Sequence, residues 1–190
     1  RQSLAPLANR IDQDGHYPLD VMGELGRAGA FSSHLDREGS RFDVALNDMA
    51  SISEHCGSTG FMTWCHDVCG LYMERSGNSA LQARLEDHAS GQSFGGTGLS
   101  NPMKALTNIE KMALRATPVE GGHIVSGTLP WVSHINHGHY CGVIAMVCNP
   151  DGSHSHELMF MLDINETVKL SKCPEFSGME GTSTWAIHLE

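Results

Sequence analysis

The hydrophobic pattern of this chain changes its period at Gly91, and that change limits the folds open to it. Before Gly91, apolar residues recur every three or four positions, which predicts amphipathic helices. After it, apolar and polar residues alternate, which predicts strands. A run of helices followed by a run of strands is typical of an α+β fold. We therefore predict an N-terminal helical bundle followed by a small antiparallel β-barrel domain.

Five helices and about seven strands are expected. The helices are predicted at 4–13, 18–28, 42–56, 61–75 and 78–89, and glycine-rich segment 57–60 is interpreted as a break. The helix at 61–75 is apolar nearly all round, so we expect it to be central and buried. Segment 120–123 predicts a hairpin turn, and later strands are predicted at 139–148, 157–164, 167–170 and 183–189.

Composition narrows the function classes. A chain of 190 residues that is 40% hydrophobic can bury a core in one large domain or two small ones. Its net charge of −10 and its lack of a Lys/Arg cluster argue against a nucleic-acid partner. No apolar run is long enough for a membrane span. The six cysteines form no Cys-x-x-Cys pair, which favours free thiols and a cytoplasmic location.

Two short segments carry the polar and aromatic groups that suit a ligand. Segment 92–102 has glycines that expose backbone N–H groups, together with the hydroxyls of Thr97 and Ser100. Segment 127–133 places Trp131 two residues before Ser133. A planar ligand rich in hydrogen-bonding groups would suit this pair. The alternative is that the glycines form a turn and the tryptophan belongs to the core.

Histidines follow the second segment closely. Alternate histidines can bind a metal, but no carboxylate or cysteine stands at the spacing of a recognised site, so no metal is predicted. We interpret these residues as surface-loop side chains, with a position for His134 at the border of the ligand site as the alternative. The set comprises His134, His137, His139, His154 and His156.

Three stretches resemble the acyl-CoA dehydrogenase family. These are the Phe-x-x-Thr pattern of 94–97, the Gly-x-x-x-Trp-x-Ser pattern of 127–133, and segment 176–185. The resemblance covers essentially the whole chain but only two of the family's three domains. It implies an N-terminal helical domain at 1–91 and a middle β domain at 92–190, without the C-terminal helical domain.

The resemblance also implies FAD as the cofactor and a set of residues that bind it. One group would lie along the pyrimidine edge of FAD: Phe94, Gly96 and Thr97. Another would lie against the isoalloxazine ring and its N5: Trp131, Val132 and Ser133. Ser100 would be the hydroxyl that contacts phosphate, with Thr107 as the alternative. Donors near the pyrimidine edge would raise the electron affinity of the flavin.

The implied function is that of an FAD-dependent oxidoreductase acting on the CH–CH group of an acyl-thioester or related substrate. The implied partners are a small-molecule substrate such as acyl-CoA and further copies of the chain, as a homodimer or homotetramer. The family's catalytic glutamate lies in the third domain, so no catalytic residue is assigned. A flavin-dependent monooxygenase of the same fold and a non-catalytic binding or assembly module both stay open. An uncovered apolar face is expected beside the fourth helix.

Overall fold

The computed structural model describes residues 3–35 and 39–190, so part of the predicted loop at 32–40 lies outside the described residues. The helices are α1 Ala8–Asp14, α2 Leu19–Arg27, α3 Phe42–Ser53, α4 Gly57–Arg75, α5 Ser79–Gln82, α6 Leu85–Ala89 and α7 Ser100–Leu106. The strands are β1 Gly95–Thr97, β2 Leu114–Val119, β3 Gly122–Val132, β4 Tyr140–Cys148, β5 His154–Asp163, β6 Lys169–Lys172 and β7 Trp185–Leu189. Short 3₁₀ turns lie at Ala5–Leu7 and Glu180–Thr182.

The α+β class is confirmed, but the sheet is mixed rather than antiparallel. Strand β4 is parallel to β1 near its start and parallel to β2 near its end, and it is antiparallel to β5 along its other edge. The remaining pairs, β2–β3, β3–β7 and β6–β7, are antiparallel. The predicted hairpin joins β2 to β3. Parallel pairing arises because β1 and β2 each reach β4 through a crossover rather than a tight turn.

Helix α4 is central, as predicted, but it begins earlier than expected. The segment interpreted as a break is its first turn, since α4 starts at Gly57. A Cβ at Gly60 would stand 1.9 Å from Oγ of Ser53, so this glycine lets α3 approach α4. Close packing, rather than chain breaking, therefore explains the glycine.

Two other helical predictions need correction. The predicted helix at 78–89 is two short helices, α5 and α6, although Asn78 caps the first as expected by accepting from the N–H of Ala80. Helix α7 lies within a region where only strands were expected. No helix among the described residues is long and apolar enough to cross a membrane.

The hydrophobic interior is divided between the sheet and the helices. The largest cluster lies within the curled sheet and includes Leu114, Leu129 and Val143. Smaller clusters join α1, α2 and α3, and α4 packs directly against β1. This contact places the start of β1 between the helices and the sheet.

Candidate functional site

The two predicted ligand-binding segments meet in the folded chain. Thr97, at the end of β1, pairs with Ser133, just beyond β3, in an isolated antiparallel bridge. A Cβ at Gly96 would stand 2.3 Å from the backbone oxygen of Ser133. Glycine at this position therefore permits close approach by the chain's own backbone. The junction of Thr97 and Ser133 is the centre of the candidate site.

Strand β3 is irregular just before this junction. Its pairing with β7 shifts register between Leu129 and Val132. Pro130 lies within the shift and has no N–H to give to a neighbouring strand. Trp131 has φ of 60°, which is unusual for a bulky residue and points to a functional constraint. Its side chain is 44% exposed, whereas Val132 is fully buried in the core.

The hydroxyls of the junction have protein partners. Oγ1 of Thr97 lies 2.9 Å from the hydroxyl of Tyr72 on α4. Oγ of Ser133 lies 2.8 Å from Oγ1 of Thr184, which lies 2.8 Å from Oγ1 of Thr182. The hydroxyls of Ser133, Thr184 and Thr182 thus form a hydroxyl chain. Its three O–H groups make two hydrogen bonds with one another, so one hydrogen is left to donate to another group. Sequence patterns did not predict this contact, because Tyr72 lies in the apolar stripe of its helix and was interpreted as a core residue.

The other predicted site residues lie around this centre. Phe94 is buried and its ring contacts the rings of Tyr17 and His139. Ser100 is exposed as the first residue of α7, three residues beyond Thr97. Gly96, Thr97 and Ser133 are thus brought together, Trp131 and Val132 flank them, and Phe94 belongs to the interior.

A polar cavity of about 760 Å³ lies beside the irregular part of β3. It is bounded by the end of α1, by segment 172–178 and by the start of β7. Phe176 lines it and lies 5.8 Å from Trp131, ring centre to ring centre, and Thr184 lines it while bonding Ser133. Its volume is typical of small-molecule sites.

One donor at this cavity is unpaired. Nε1 of Trp185, a lining residue, is buried and has no hydrogen-bond partner. A buried unpaired donor is rare enough to need an explanation. Because that nitrogen has almost no accessible surface, it does not reach a ligand in the cavity. The exposed face of Trp131 and the spare O–H among Ser133, Thr182 and Thr184 fit a planar ligand with acceptors, as the isoalloxazine of FAD is.

A second cavity, of about 490 Å³, lies between α2 and α3, and, like the first, it is lined by none of the predicted site residues. Its lining is largely apolar and includes Val21, Leu25 and Ile52. The polar lining residues include Asp48 and His55. No feature of the sequence pointed to this cavity.

Behind β1 lies a group of buried histidines that sequence reasoning missed. The surface-loop interpretation is wrong for two of them, because His134 and His139 are 0% and 8% exposed. They lie with His66 and His88, both fully buried, beneath the start of β1. Burial lowers the pKa of His66 and His134 well below the ordinary value, and their neighbouring histidines lower both further. The imidazoles are therefore uncharged at neutral pH.

The structure also shows how the potential metal ligands and the cysteines are arranged. Within residues 3–35 and 39–190, no group of three or more His, Cys, Asp or Glu side chains is arranged to hold a metal ion. All six cysteines are free. The thiols of Cys65 and Cys69 are buried in α4, as a core interpretation of that helix requires.

Comparison with known proteins finds this chain similar to acyl-CoA dehydrogenases in sequence and in fold. No protein-family model matches the chain. The chain is 23% identical, over its full length, to the probable acyl-CoA dehydrogenase YngJ of Bacillus subtilis, and covers 52% of that protein. It is 26% identical to the mitochondrial isovaleryl-CoA dehydrogenase of Oryza sativa over 70% of the chain and 34% of the relative. The chain thus spans between a third and about half of these relatives.

Solved structures give the same picture for the fold. Butyryl-CoA dehydrogenase of Megasphaera elsdenii superimposes on the whole chain with a TM-score of 0.84 at 18% identity, over 52% of its own length. A glutaryl-CoA dehydrogenase of Mycobacterium smegmatis in complex with FADH2 gives 0.83 at 18% identity over 98% of this chain and 48% of its own. The resemblance to the acyl-CoA dehydrogenase family is therefore confirmed, in sequence over most of the chain and in fold over essentially all of it.

Proposed function

We propose that the chain forms the flavin-binding part of an FAD-dependent oxidoreductase of the acyl-CoA dehydrogenase type. The observation that carries this proposal is the junction of Thr97 and Ser133 beside the exposed Trp131. Thr97 and Ser133 are 36 positions apart in the sequence, yet they pair in the folded chain. Thr184, which bonds Ser133, lines the cavity of about 760 Å³. The resemblance to acyl-CoA dehydrogenases gives that edge a cofactor.

In this proposal the site residues divide the work of holding FAD. Phe94, Gly96 and Thr97 would define the pyrimidine edge, and Ser100 would contact phosphate. Trp131 would lie against the isoalloxazine, with the buried Val132 supporting it from the core, and Ser133 would direct the spare hydrogen of its hydroxyl chain toward N5. When bound, FAD supplies the acceptor for the hydride that leaves the substrate's CH–CH group. Trp131 would also keep water from that face of the ring.

Further parts of the proposal concern organisation. We place the helical domain at 1–91 and the β domain at 92–190, with an acyl-thioester such as acyl-CoA as the substrate. The base that removes a proton from the substrate has no candidate in this chain. Self-association as a homodimer or homotetramer is proposed because Phe61 and Trp64 form an exposed stacked pair on α4, with ring centres 5.6 Å apart.

The first experiment tests the cofactor. The full-length protein that contains this chain is purified and its visible absorption recorded, and the released cofactor is compared with FAD, FMN and riboflavin. Trp131→Ala and Thr97→Ala should each weaken FAD binding about tenfold or more, since each removes a contact worth about 1.4 kcal/mol. Ile124→Ala is the control, because Ile124 is also exposed, at 57%, but lies on the β2–β3 hairpin. A colourless protein that takes up no FAD would contradict the proposal.

A non-catalytic module is the second candidate, and one observation favours it. Both hydroxyls of the junction, on Thr97 and Ser133, already bond to protein groups. In a module without cofactor, Trp131→Ala and Thr97→Ala would lower stability and change no ligand affinity. For the enzyme, anaerobic addition of butyryl-CoA or isovaleryl-CoA should bleach the flavin absorption. An NAD(P)H-dependent oxygen uptake without such bleaching would instead favour the monooxygenase.

A further inference from the structure

The backbone of Gly95, the first residue of β1, is held by two histidines. Its N–H donates to Nδ1 of His66 at 3.2 Å, and its carbonyl accepts from Nδ1 of His134 at 2.9 Å. His66 lies on α4, and His134 follows β3. We propose that His66 and His134 are positioning residues, which fix β1 between α4 and the end of β3 and thereby set the Thr97 edge of the flavin site. The part concerning flavin rests on the proposed function.

The hydrogen bonds define the tautomer of each ring. A carbonyl oxygen only accepts, so Nδ1 of His134 carries the hydrogen, and its Nε2 accepts from the hydroxyl of Tyr17 at 2.8 Å. In His66 the arrangement is reversed. Its Nε2 donates to the backbone oxygen of His88 at 3.0 Å, which leaves Nδ1 free to accept from Gly95. A second proton on either ring would remove one of these acceptors.

The position of β1 in the sheet explains why side chains, rather than another strand, hydrogen-bond to the backbone of Gly95. One edge of β1 faces β4, where the N–H of Tyr140 donates to the carbonyl of Phe94 and the N–H of Gly98 donates to that of Gly142. Alternate residues in a strand direct their polar groups to opposite edges, so Gly95 and Thr97 face away from β4. At Thr97 the other edge is met by Ser133. At Gly95 the two imidazoles take the place of a neighbouring strand.

We call the two histidines that hold Gly95, His66 and His134, the clamp. The clamp and the junction of Thr97 with Ser133 are mechanically linked. Ser133 and His134 are consecutive, so one short segment both bridges Thr97 and holds Gly95. His134 has φ of 60°, a conformation that its contacts on both ring nitrogens and its backbone must maintain. A shift of β1 at Gly95 therefore moves Thr97 relative to Ser133.

The surroundings of the clamp are uncharged. Among the described residues, the titratable groups whose rings contact the two imidazoles are His88, His139 and Tyr17, and the other ring contacts come from Phe31 and Phe94. His139 donates from Nδ1 to the backbone oxygen of His134 at 3.1 Å, which is consistent with a neutral ring. Burial lowers the pKa of His139 and raises that of Tyr17, so both stay uncharged around neutral pH.

Paired amide substitutions separate this role from simple core packing. Asn places its amide near the position of Nδ1 of a histidine, and Gln places its amide near the position of Nε2. His66→Asn and His134→Asn therefore keep the contact with Gly95, whereas His66→Gln and His134→Gln lose it and keep the contact at the other ring nitrogen. His34→Asn is the matched control, since it removes a buried bond of 2.8 Å from His34 to the backbone oxygen of Asp67 without touching Gly95.

The full-length protein is examined by three measurements. Nitrogen NMR of ¹⁵N-histidine-labelled protein should show His134 with hydrogen on Nδ1 and His66 with hydrogen on Nε2. In cofactor-free protein, amide exchange at 95–97 should quicken in the Gln variants and stay unchanged in the Asn variants and in His34→Asn. The affinity for FAD should fall about tenfold in the Gln variants and change less than about threefold in the others.

Each outcome decides between the alternatives. The opposite tautomer at His134 in the unmodified protein would overturn the proposal even if variants failed to fold. Equal behaviour of Asn and Gln variants would also overturn it, and so would faster exchange with an unchanged affinity for FAD. If the unmodified protein bound no flavin, the proposed function would fail, and exchange at 95–97 would still decide whether the histidines position β1.

Discussion

The imidazoles of His66 and His88 stack with ring centres 3.6 Å apart, and each donates from Nε2 to the other's backbone carbonyl at 3.0 Å. His88 also accepts at Nδ1 from the hydroxyl of Tyr140 at 2.7 Å. Each ring thus has one donor and one acceptor in use, which is the full capacity of a neutral imidazole. The pair fastens α4 to α6 and makes the interior intolerant of an added proton.

Acid should begin to destabilise the protein at a higher pH than it would if only carboxylates took up protons. Burial lowers the pKa of five histidines in the folded state, that of His88 to about 3; the set is His34, His66, His88, His134 and His139. The unfolded chain therefore binds more protons below pH ~6.5, so stability is complete above that pH and falls below it. The expected loss is up to about 1.4 kcal/mol per pH unit for each histidine. Urea unfolding between pH 4 and 7 measures it, and a flat profile would contradict the histidine assignment.

Asp67 should give the opposite slope. Burial, with a smaller contribution from the nearby Asp48, raises its pKa to about 8, and neither carboxyl oxygen has a hydrogen-bond partner. The folded state therefore holds a proton that the unfolded state has released above pH ~4, so this group's contribution to stability decreases until about pH 8. Asp67→Asn should remove a slope of about 1.4 kcal/mol per pH unit between pH 6.5 and 8. An unchanged slope in unfolding measurements would show that Asp67 ionises normally.

Gly96→Ala should separate β1 from the end of β3. The added Cβ would stand 2.3 Å from the backbone oxygen of Ser133, and relieving that overlap should cost about 1–3 kcal/mol or more. Thermal unfolding and FAD titration are the measurements, and both should report a loss. Gly122→Ala is the control, because no atom lies within 4 Å of a Cβ there. Similar behaviour of the two variants would contradict the Thr97–Ser133 junction.

The exposed pair on α4 should govern self-association. Phe61 and Trp64 are 37% and 43% exposed, and Phe42 and Leu46 on α3 are 46% and 62% exposed. An expressed segment ending at Glu190 should therefore aggregate, and Phe61→Gln with Trp64→Gln should make it more soluble. The same double variant should shift the full-length protein to smaller species in sedimentation.

Val119→Thr with Ile124→Thr provides the control for that prediction. These two side chains are 45% and 57% exposed but lie on the β2–β3 hairpin. They should change neither solubility nor assembly. A monodisperse, flavin-loaded monomer of the 190-residue segment would contradict both the assembly prediction and the expectation of an uncovered face.

Local patterns predicted the elements whose causes are local. The stripe of α2 and the hairpin at Glu120-Gly121 depend on neighbours a few positions away, so they could be read directly. The same holds for the cap at Asn78. Glycines were harder to interpret, because Gly60 and Gly96 serve close contacts with residues that the pattern does not name.

What the sequence by itself determined is the order of helices and strands, the α+β class and the two segments around Thr97 and Trp131. What only the tertiary structure decided is the mixed pairing of the sheet, the exposure of Trp131 at a register shift, and the clamp on Gly95. His66 and His134 are 68 positions apart in the sequence, yet both bind the backbone of Gly95. Nothing in the spacing of either residue announces that contact. Burial, which keeps them uncharged, and the hydrogen bonds that set their tautomers arise only when α4, β1 and the end of β3 come together.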